Sequence, residues 1–204
     1  GTYSKKINDE HSVGASLIFA YQMFKADGLG AFGAFSTNPN ALSNKGDDTS
    51  SGFGAKLGWQ GKVAPAVTLG ASYQTKMSMS EFDDYAGLFA EQGDFDIPAT
   101  LILGAAWDID DQRKLIVDVQ TIYYSDVDSI ANGIAPLTNG SCIPDPVNGG
   151  SGAGCLGGSA GAGFGWDDMT VVKLGYQWMQ NDMTWRVGLS HGSQPIPDSE
   201  VMFN

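Results

Sequence analysis

Basic residues are scarce in this sequence. It contains 11 Lys and Arg against 23 Asp and Glu in 204 residues, which gives a formal net charge of −12. Nucleic-acid binding requires clustered Lys and Arg that neutralise phosphates, and the sequence contains no such cluster. We therefore expect no nucleic acid among the partners of this protein.

Long hydrophobic runs are also missing. No stretch of 18 or more consecutive apolar residues occurs, so the sequence predicts no transmembrane helix. A strand of a membrane barrel crosses with only about 9 to 11 residues, half of them apolar, and this criterion does not detect it. The absence of apolar runs therefore leaves a membrane barrel possible.

Residues suited to catalysis or metal binding are few. The two histidines, His11 and His191, have no neighbouring Cys or carboxylates at metal-ligand spacing. Residues 152–157 match a glycine-rich nucleotide-binding pattern, but the sequence around them predicts neither the preceding strand nor the following helix that such a site needs. The sequence therefore predicts no enzyme, no metal site and no cofactor.

The only two cysteines, Cys142 and Cys155, lie in one glycine-rich segment. An even pair in an exported loop is typical of a disulfide, which stabilises a loop of this length by about 3 kcal/mol on the chain-entropy account. Two free surface thiols are the alternative, and an oxidising compartment disfavours them.

Glycine and aromatic residues, in contrast, are abundant, with 28 Gly and 11% aromatics. This mixture is more typical of strands and turns than of helices. Seven segments alternate apolar and polar residues with a period of two, as strands do. They are residues 12–24, 53–59, 67–76, 97–107, 115–124, 170–178 and 184–191, and residues 2–4 could end an eighth strand. The sequence therefore predicts an all-β protein.

The connections between these segments alternate strictly in length. Short links at 6–10, 61–65, 108–112 and 179–182 alternate with long ones at 25–51, 78–96 and 125–167. In an antiparallel meander, all short turns then lie at one end and all long loops at the other, as in outer-membrane barrels. Four tryptophans lie near the short turns, namely Trp59, Trp107, Trp178 and Trp185. They are typical of an aromatic girdle at a membrane surface, although Trp can also fill the end of a soluble β core.

Two of the long loops contain apolar residues. Glycines separate Leu29, Phe32 and Phe35 in the first loop, and aromatics follow a helical spacing in residues 82–89 of the second. A phenylalanine left in water forfeits about 1.5 to 3 kcal/mol of burial. We therefore expect a short helical segment in the second loop and apolar side chains that pack on each other or on an apolar ligand.

Five segments occur in a characteristic order. They are T-L-G-A-S-Y-Q-T-K (68–76), D-D-Y-A-G-L-F-A (83–90), F-D-I-P-A (95–99), G-F-G-W (163–166) and S-Q-P-I-P-D-S (193–199). Together they resemble the FadL family of outer-membrane transporters for long-chain fatty acids and other hydrophobic compounds. The resemblance covers nearly the whole chain.

This resemblance implies an antiparallel transmembrane β-barrel of about 14 strands in the bacterial outer membrane. It also implies an N-terminal plug, an outer groove that captures the ligand, and an opening in the wall that releases it sideways into the membrane. Because the sequence predicts about seven strands, we expect residues 1–204 to be part of a single β-barrel domain, with the plug and the closing strands absent. The expected process is passive diffusion by a monomer, with fatty acids or aromatic hydrocarbons and outer-membrane lipid as its partners.

The resemblance also assigns candidate site residues. By position, the ligand contacts are Leu29, Phe32, Phe35, Phe82, Tyr85, Leu88 and Phe89. The polar residues expected in the lumen are Lys56, Lys76, Asp118 and Arg186. Either Lys76 or Arg186 could meet a carboxylate head, or form an ion pair in the lumen. The alternative function is a soluble or periplasmic β-barrel that binds a lipid-like ligand, which would explain the period of two but not the alternating loop lengths.

Overall fold

The computed structural model describes residues 1–201, which are organised around one antiparallel sheet. Its strands are β1 (Thr2–Lys6), β2 (His11–Phe24), β3 (Asp48–Ala64), β4 (Val67–Gln74), β5 (Ser78–Met79), β6 (Thr100–Asp110), β7 (Arg113–Ile122), β8 (Met169–Gln180) and β9 (Met183–Gly192). Within residues 1–201, no helix has the length and apolar character needed to cross a membrane.

The strands pair in the order β1-β2-β3-β4-β6-β7-β8-β9, and every pair is antiparallel. The predicted all-β fold is confirmed, including the seven long strands and the eighth at the start of the chain. Strand β6 begins at Thr100 instead of residue 97 because Pro98, which has no N–H group, interrupts the ladder. The sequence did not predict β5, because two residues are too few to show a period.

The connections give the sheet two different ends. Residues 7–10, 65–66, 111–112 and 181–182 form short turns at one end, here called the turn end. The connections 25–47, 75–99 and 123–168 leave from the opposite end, here called the loop end, and residues 193–201 leave there too. The predicted separation of short and long connections is therefore present.

The long connections contain all the helices of residues 1–201. Two are four-residue turns, α1 (Ala90–Gly93) and α2 (Asp128–Ala131), of which α2 is α-helical, whereas Glu91 and Gln92 of α1 have left-handed backbone angles. Five are 3₁₀-helices, at Leu29–Phe35, Pro39–Ala41, Asp83–Tyr85, Tyr124–Asp126 and Ala135–Leu137. The expected helical segment in residues 82–89 is one short 3₁₀ turn. It is separate from α1 because Phe89 between them has an extended backbone.

One face of the sheet exposes large apolar side chains along most strands. Leu17, Phe53 and Leu189 are each more than 70% exposed, and cross-strand pairs such as Val119 with Val172 keep this face continuous from β7 to β8. Water would strongly disfavour so extensive an apolar surface, whereas lipid would not. We call it the apolar face.

All four predicted girdle tryptophans lie on the apolar face near the turn end. Trp107 pairs with Val67 of β4, and Trp178 of β8 lies directly opposite Trp185 of β9. The two paired indole rings stack with their centroids 6.2 Å apart. This placement matches an interfacial belt, where indole rings sit at the edge of the hydrocarbon layer.

The opposite face carries small and polar residues and is here called the polar face. Gly14 lies opposite Gly58, which in turn lies opposite Ser72, and these residues line a shallow depression of about 380 Å³ that extends to Asp118. Lys56 lies opposite Gln74 on the same face. The register therefore separates side chains that tolerate water from those that face lipid.

Arg186 belongs to the polar face as well. Its Nε donates a hydrogen bond of 2.7 Å to Gln177 Oε1, and the two residues lie opposite each other in β8 and β9. Lys76, the fourth predicted lumen residue, is not on a strand. It follows the end of β4 and is part of the ion pair described below.

Candidate functional site: an apolar pocket at the loop end

The long connections pack around a cluster of aromatic rings. Phe82, Tyr85 and Phe89 are almost completely buried, with 6% exposure or less. Phe24, the last residue of β2, touches all three, and its ring centroid lies 5.7, 4.9 and 4.8 Å from theirs, respectively. The second connection is therefore anchored directly to the end of a strand in the sheet.

Tyr85 fixes this cluster through its hydroxyl group. The Tyr85 hydroxyl donates a 2.7 Å hydrogen bond to the Gly46 carbonyl oxygen and accepts one of 3.1 Å from the Ala26 backbone N–H. A buried tyrosine needs such partners for its polar end. Tyr85 therefore joins the first and second connections.

A pocket of about 400 Å³ lies beside this cluster. The first connection supplies Leu29, Phe32 and Leu42 to its wall, and the second supplies Leu88 and Phe89. Nearly all of the lining side chains are apolar. An enclosure of this size and character is typical of a site for a small hydrophobic molecule.

The third connection closes the pocket. Its lining residues are Ser129, Ile134, Leu137, Leu156, Ala162, Gly163 and Phe164. The sequence analysis missed these residues, because their segment is rich in glycine and has no hydrophobic period. The segment G-F-G-W (163–166), which includes Phe164, was the one signal that could have identified them.

The predicted ligand contacts divide into two groups. Leu29, Phe32, Leu88 and Phe89 line the pocket. Phe82 and Tyr85 do not line it, because both pack inside the aromatic cluster beneath the wall. Phe35 is also not among the lining residues of the described part of the chain. Its carbonyl oxygen accepts a 2.9 Å hydrogen bond from the N–H of Leu156, which does line the pocket. These last three residues support the pocket instead of forming its surface.

A disulfide bond holds the third connection together beside the pocket. In the structure, Cys142 is bonded to Cys155, and both are almost completely buried. Leu156, the next residue after Cys155, lines the pocket, as does Leu137, which lies five residues before Cys142. The bond thereby links the two limbs of the connection that contribute these leucines.

Aromatic rings continue from the pocket towards the sheet. The Phe89 and Phe95 ring centroids lie 4.8 Å apart, Phe95 and Phe164 6.3 Å, and Phe164 and Trp166 5.8 Å. Trp166 then meets Tyr124 edge-on, with centroids 5.2 Å apart. Because Tyr124 lies two residues after β7, the rings form a continuous apolar chain from the pocket to the loop end of the sheet.

The sheet is irregular at its loop end, between β3, β4 and β6. Strand β4 ends at Gln74, and the Thr75 N–H still donates a 2.9 Å hydrogen bond to the Ala55 carbonyl oxygen of β3. The chain pairs with β3 again at β5, opposite Gly52 and Phe53. Between them, Met77 packs so closely over Gly54 that a Cβ there would lie 2.6 Å from Met77 Cγ. On the other side, one isolated bridge from Met77 to Ile97 replaces a ladder. The regular ladder with β3 is therefore interrupted at residues 76–77.

An ion pair borders this interruption. Lys76 Nζ lies 2.9 Å from Asp96 Oδ2, and Asp96 Oδ1 accepts a 2.8 Å hydrogen bond from the Met79 N–H. The hydrogen bond from Lys76 to buried Asp96 raises the pKa of Lys76, against the opposing effect of burial. Lys76 therefore forms an ion pair beside the interruption, outside the strands.

Asp94 is a second carboxyl group close to the Lys76–Asp96 ion pair. Burial, followed by the charge of Asp96, raises the pKa of Asp94 from 3.8 to about 6. Its backbone carbonyl oxygen accepts a hydrogen bond from the hydroxyl of Ser129, which also lines the pocket. This hydrogen bond therefore links Asp94 to the lining of the pocket.

Residues 1–201 contain no group of three or more His, Cys, Asp or Glu side chains arranged to hold a metal ion. The arrangement of the site suits binding of an apolar molecule through burial of its surface.

Comparison with known proteins identifies the family of this chain and solved structures with its fold. Residues 1–202 match a family model described as outer membrane protein transport protein (OMPP1/FadL/TodX). No curated protein matches the sequence significantly.

Solved structures show the same fold. The Pseudomonas putida toluene transporter TodX has 20% identity and a TM-score of 0.58, with 97% of this chain and 55% of that chain covered. The Ralstonia pickettii toluene transporter TbuX has 17% identity and a TM-score of 0.56, with 94% and 54% covered. A Pseudomonas aeruginosa FadL homologue has 17% identity and a TM-score of 0.56, with 98% and 50% covered. The chain thus spans about half the length of these structures.

Proposed function

Because this chain belongs to the OMPP1/FadL/TodX family of outer membrane transport proteins, we propose that it takes part in the uptake of hydrophobic compounds across the bacterial outer membrane. The observation that carries this proposal is the apolar pocket of about 400 Å³ formed by all three long connections. Of the predicted contacts, Leu29, Phe32, Leu88 and Phe89 are the ones proposed to touch the ligand.

Capture in the pocket would be driven by burial of apolar surface. Each buried CH₂ group contributes about 0.8 kcal/mol, so a molecule with several such groups can leave water for the pocket. A captured molecule would then pass along the rings of Phe95, Phe164 and Trp166 to the loop end of the sheet, and from there to the interruption at residues 76–77. We propose that it leaves there, sideways into the membrane, without any covalent step.

The apolar face favours this function over a soluble lipid-binding barrel. Side chains such as Leu17 and Leu189 project from the sheet with more than 70% of their surface exposed, and a soluble protein would have to keep them in water. Outer-membrane lipid is the partner proposed to cover them. We further propose that the complete protein works as a monomer, because the pocket and the proposed exit are both formed by a single chain.

The experiment compares two substitutions in the full-length protein. Leu29→Asn places an amide in the pocket wall, whereas Val147→Asn makes the same kind of change at a residue that is 84% exposed and lies outside the pocket lining. Burying an unpaired amide and losing apolar contact costs about 1 to 3 kcal/mol, which corresponds to about 5- to 150-fold in affinity.

Binding and uptake of a radiolabelled hydrophobic compound should therefore fall for Leu29→Asn and stay unchanged for Val147→Asn. Heat resistance of the barrel in detergent should be the same for both variants. Equal uptake by the two variants, with both proteins correctly inserted, would contradict a role for the pocket in capture.

A further inference from the structure

The net charge of the chain is concentrated at the loop end. The connection 25–47 has two acidic and two basic residues, and the connection 75–99 has six acidic residues and one basic residue. The connection 123–168 has five acidic residues and residues 193–201 have two, and neither segment has a basic residue. The strands and short turns contain the remaining eight acidic and eight basic residues, which balance. The surroundings of the pocket therefore account for the entire excess of negative charge.

Each of the three lysines in these connections has a carboxylate nearby in the structure or in the sequence. Lys25 Nζ lies 3.4 Å from Asp27 Oδ2, and Lys76 Nζ lies 2.9 Å from Asp96 Oδ2. In the sequence, Asp47 and Asp48 follow Lys45 within three residues. A negatively charged ligand that approaches the loop end would therefore meet Lys25 and Lys76 already paired with carboxylates, and Lys45 next to two acidic residues in sequence.

The pocket wall offers an anion little compensation. Among residues 1–201, Lys25 is the one charged residue in the lining, and it forms an ion pair with Asp27, which lies outside the lining. The hydroxyl of Ser129, the remaining polar side chain of the lining, donates to the Asp94 carbonyl oxygen. Moving a carboxylate from water into such surroundings is costly, because a single lysine that is already paired with Asp27 replaces little of its hydration.

From this charge distribution and pocket lining, we propose that the site captures uncharged hydrophobic compounds and discriminates against carboxylate amphiphiles of the same length. This inference rests on the proposed uptake function and specifies its substrate class. The apolar wall provides affinity for any alkyl or aryl group, and the acidic surroundings provide the selectivity against anions. Fatty acids in their ionised form are then poor ligands, whereas alcohols, esters and hydrocarbons are good ones.

The test uses two ligands that differ only in the head group. 1-Dodecanol and laurate have the same number of carbon atoms, and at pH 7.5 only laurate is charged. Each is titrated against radiolabelled dodecanol bound to the full-length protein, in a fixed concentration of an uncharged detergent and at low salt. Parallel titrations without protein correct for partition of the ligands into micelles.

Dodecanol should compete at least about 10-fold better than laurate. The difference should shrink when salt is raised to about 0.5 M, because screening shortens the range of the acidic field. Laurate that competes as well as dodecanol in low salt would overturn the inference while leaving the uptake function intact. If neither compound binds, the proposed function fails, and the inference fails with it.

A pair of variants tests the origin of the selectivity. Asp27→Asn removes the partner of Lys25, so laurate should bind several-fold better while dodecanol binding stays the same. Asp111→Asn makes the same change of charge in a short turn at the opposite end of the sheet and should leave both affinities unchanged. Equal effects of the two variants on laurate would overturn the assignment of selectivity to the pocket rim.

Discussion

The ring of Phe24 meets the ring of Phe89 edge-on, with 4.8 Å between their centroids. Phe24 ends strand β2 and Phe89 belongs to the second long connection, so this contact joins the sheet to the wall of the pocket. Both residues line the pocket. This aromatic contact at the end of a strand therefore helps to fix the position of the pocket relative to the sheet.

Replacement of Phe24 by Ala tests this dependence. The ring packs against Phe82, Tyr85 and Phe89. Because Phe24 is only partly buried, its loss should destabilise the folded connections by about 2 kcal/mol, which is less than for a fully buried Phe. Limited proteolysis should then cut the connections faster, while the barrel keeps its heat resistance. Phe53→Ala, on the apolar face, is the control and should not change the rate of cleavage. Identical cleavage of both variants would mean that the connections hold their shape without Phe24.

Reduction of the disulfide should weaken the pocket without affecting the sheet. The bond between Cys142 and Cys155 links the limbs that carry Leu137 and Leu156. Because it restricts the unfolded loop, it stabilises the folded loop by about 3 kcal/mol on the chain-entropy account. A double Cys→Ser variant should bind a hydrophobic probe several-fold more weakly, with an unchanged circular dichroism spectrum. Unchanged affinity would show that the leucines are held by other contacts.

Asp94 should make the stability of the connections depend on pH. Because its pKa is raised from 3.8 to about 6, the folded state binds more protons than the unfolded state between these values. The free energy of unfolding of the connections should therefore fall as the pH rises from about 4 to about 6, and level off above that.

Hydrogen exchange at the Met79 amide, which donates to Asp96, can follow this change. Protection of the amide should decrease across the same pH window, and Asp94→Asn should abolish the part of the decrease that comes from Asp94. A wild-type profile identical to that of Asp94→Asn would show that Asp94 titrates at its ordinary pKa.

A charge on the apolar face should impair membrane insertion. Leu103 is 50% exposed in the middle of β6, and an acidic residue there would enter the hydrocarbon layer at a cost of about 1 to 3 kcal/mol. Leu103→Asp should reduce the amount of heat-resistant barrel in outer-membrane fractions. Gln120→Asp, on the polar face of β7, should not. If Gln120→Asp reduced the amount of heat-resistant barrel and Leu103→Asp did not, the assignments of the two faces would be wrong.

The strands were predictable because alternation with a period of two is a local property of the sequence. The order of short and long connections then fixed which loops lie together. The helical spacing of residues 82–89 could not distinguish a buried core from a ligand surface, because both need apolar side chains, and Phe82 and Tyr85 belong to the core. Pocket residues such as Ile134 and Leu156 escaped detection because contacts between distant segments bring them together.

The central claim is that a hydrophobic compound occupies the pocket in the long connections. The most direct measurement is photo-crosslinking of the full-length protein in outer membranes with an uncharged alkyl diazirine, followed by peptide mass spectrometry. The account predicts crosslinks at pocket residues such as Leu29, Leu88 and Phe164, and their loss when excess 1-dodecanol is present. Crosslinks confined to the apolar face, and insensitive to dodecanol, would contradict the account.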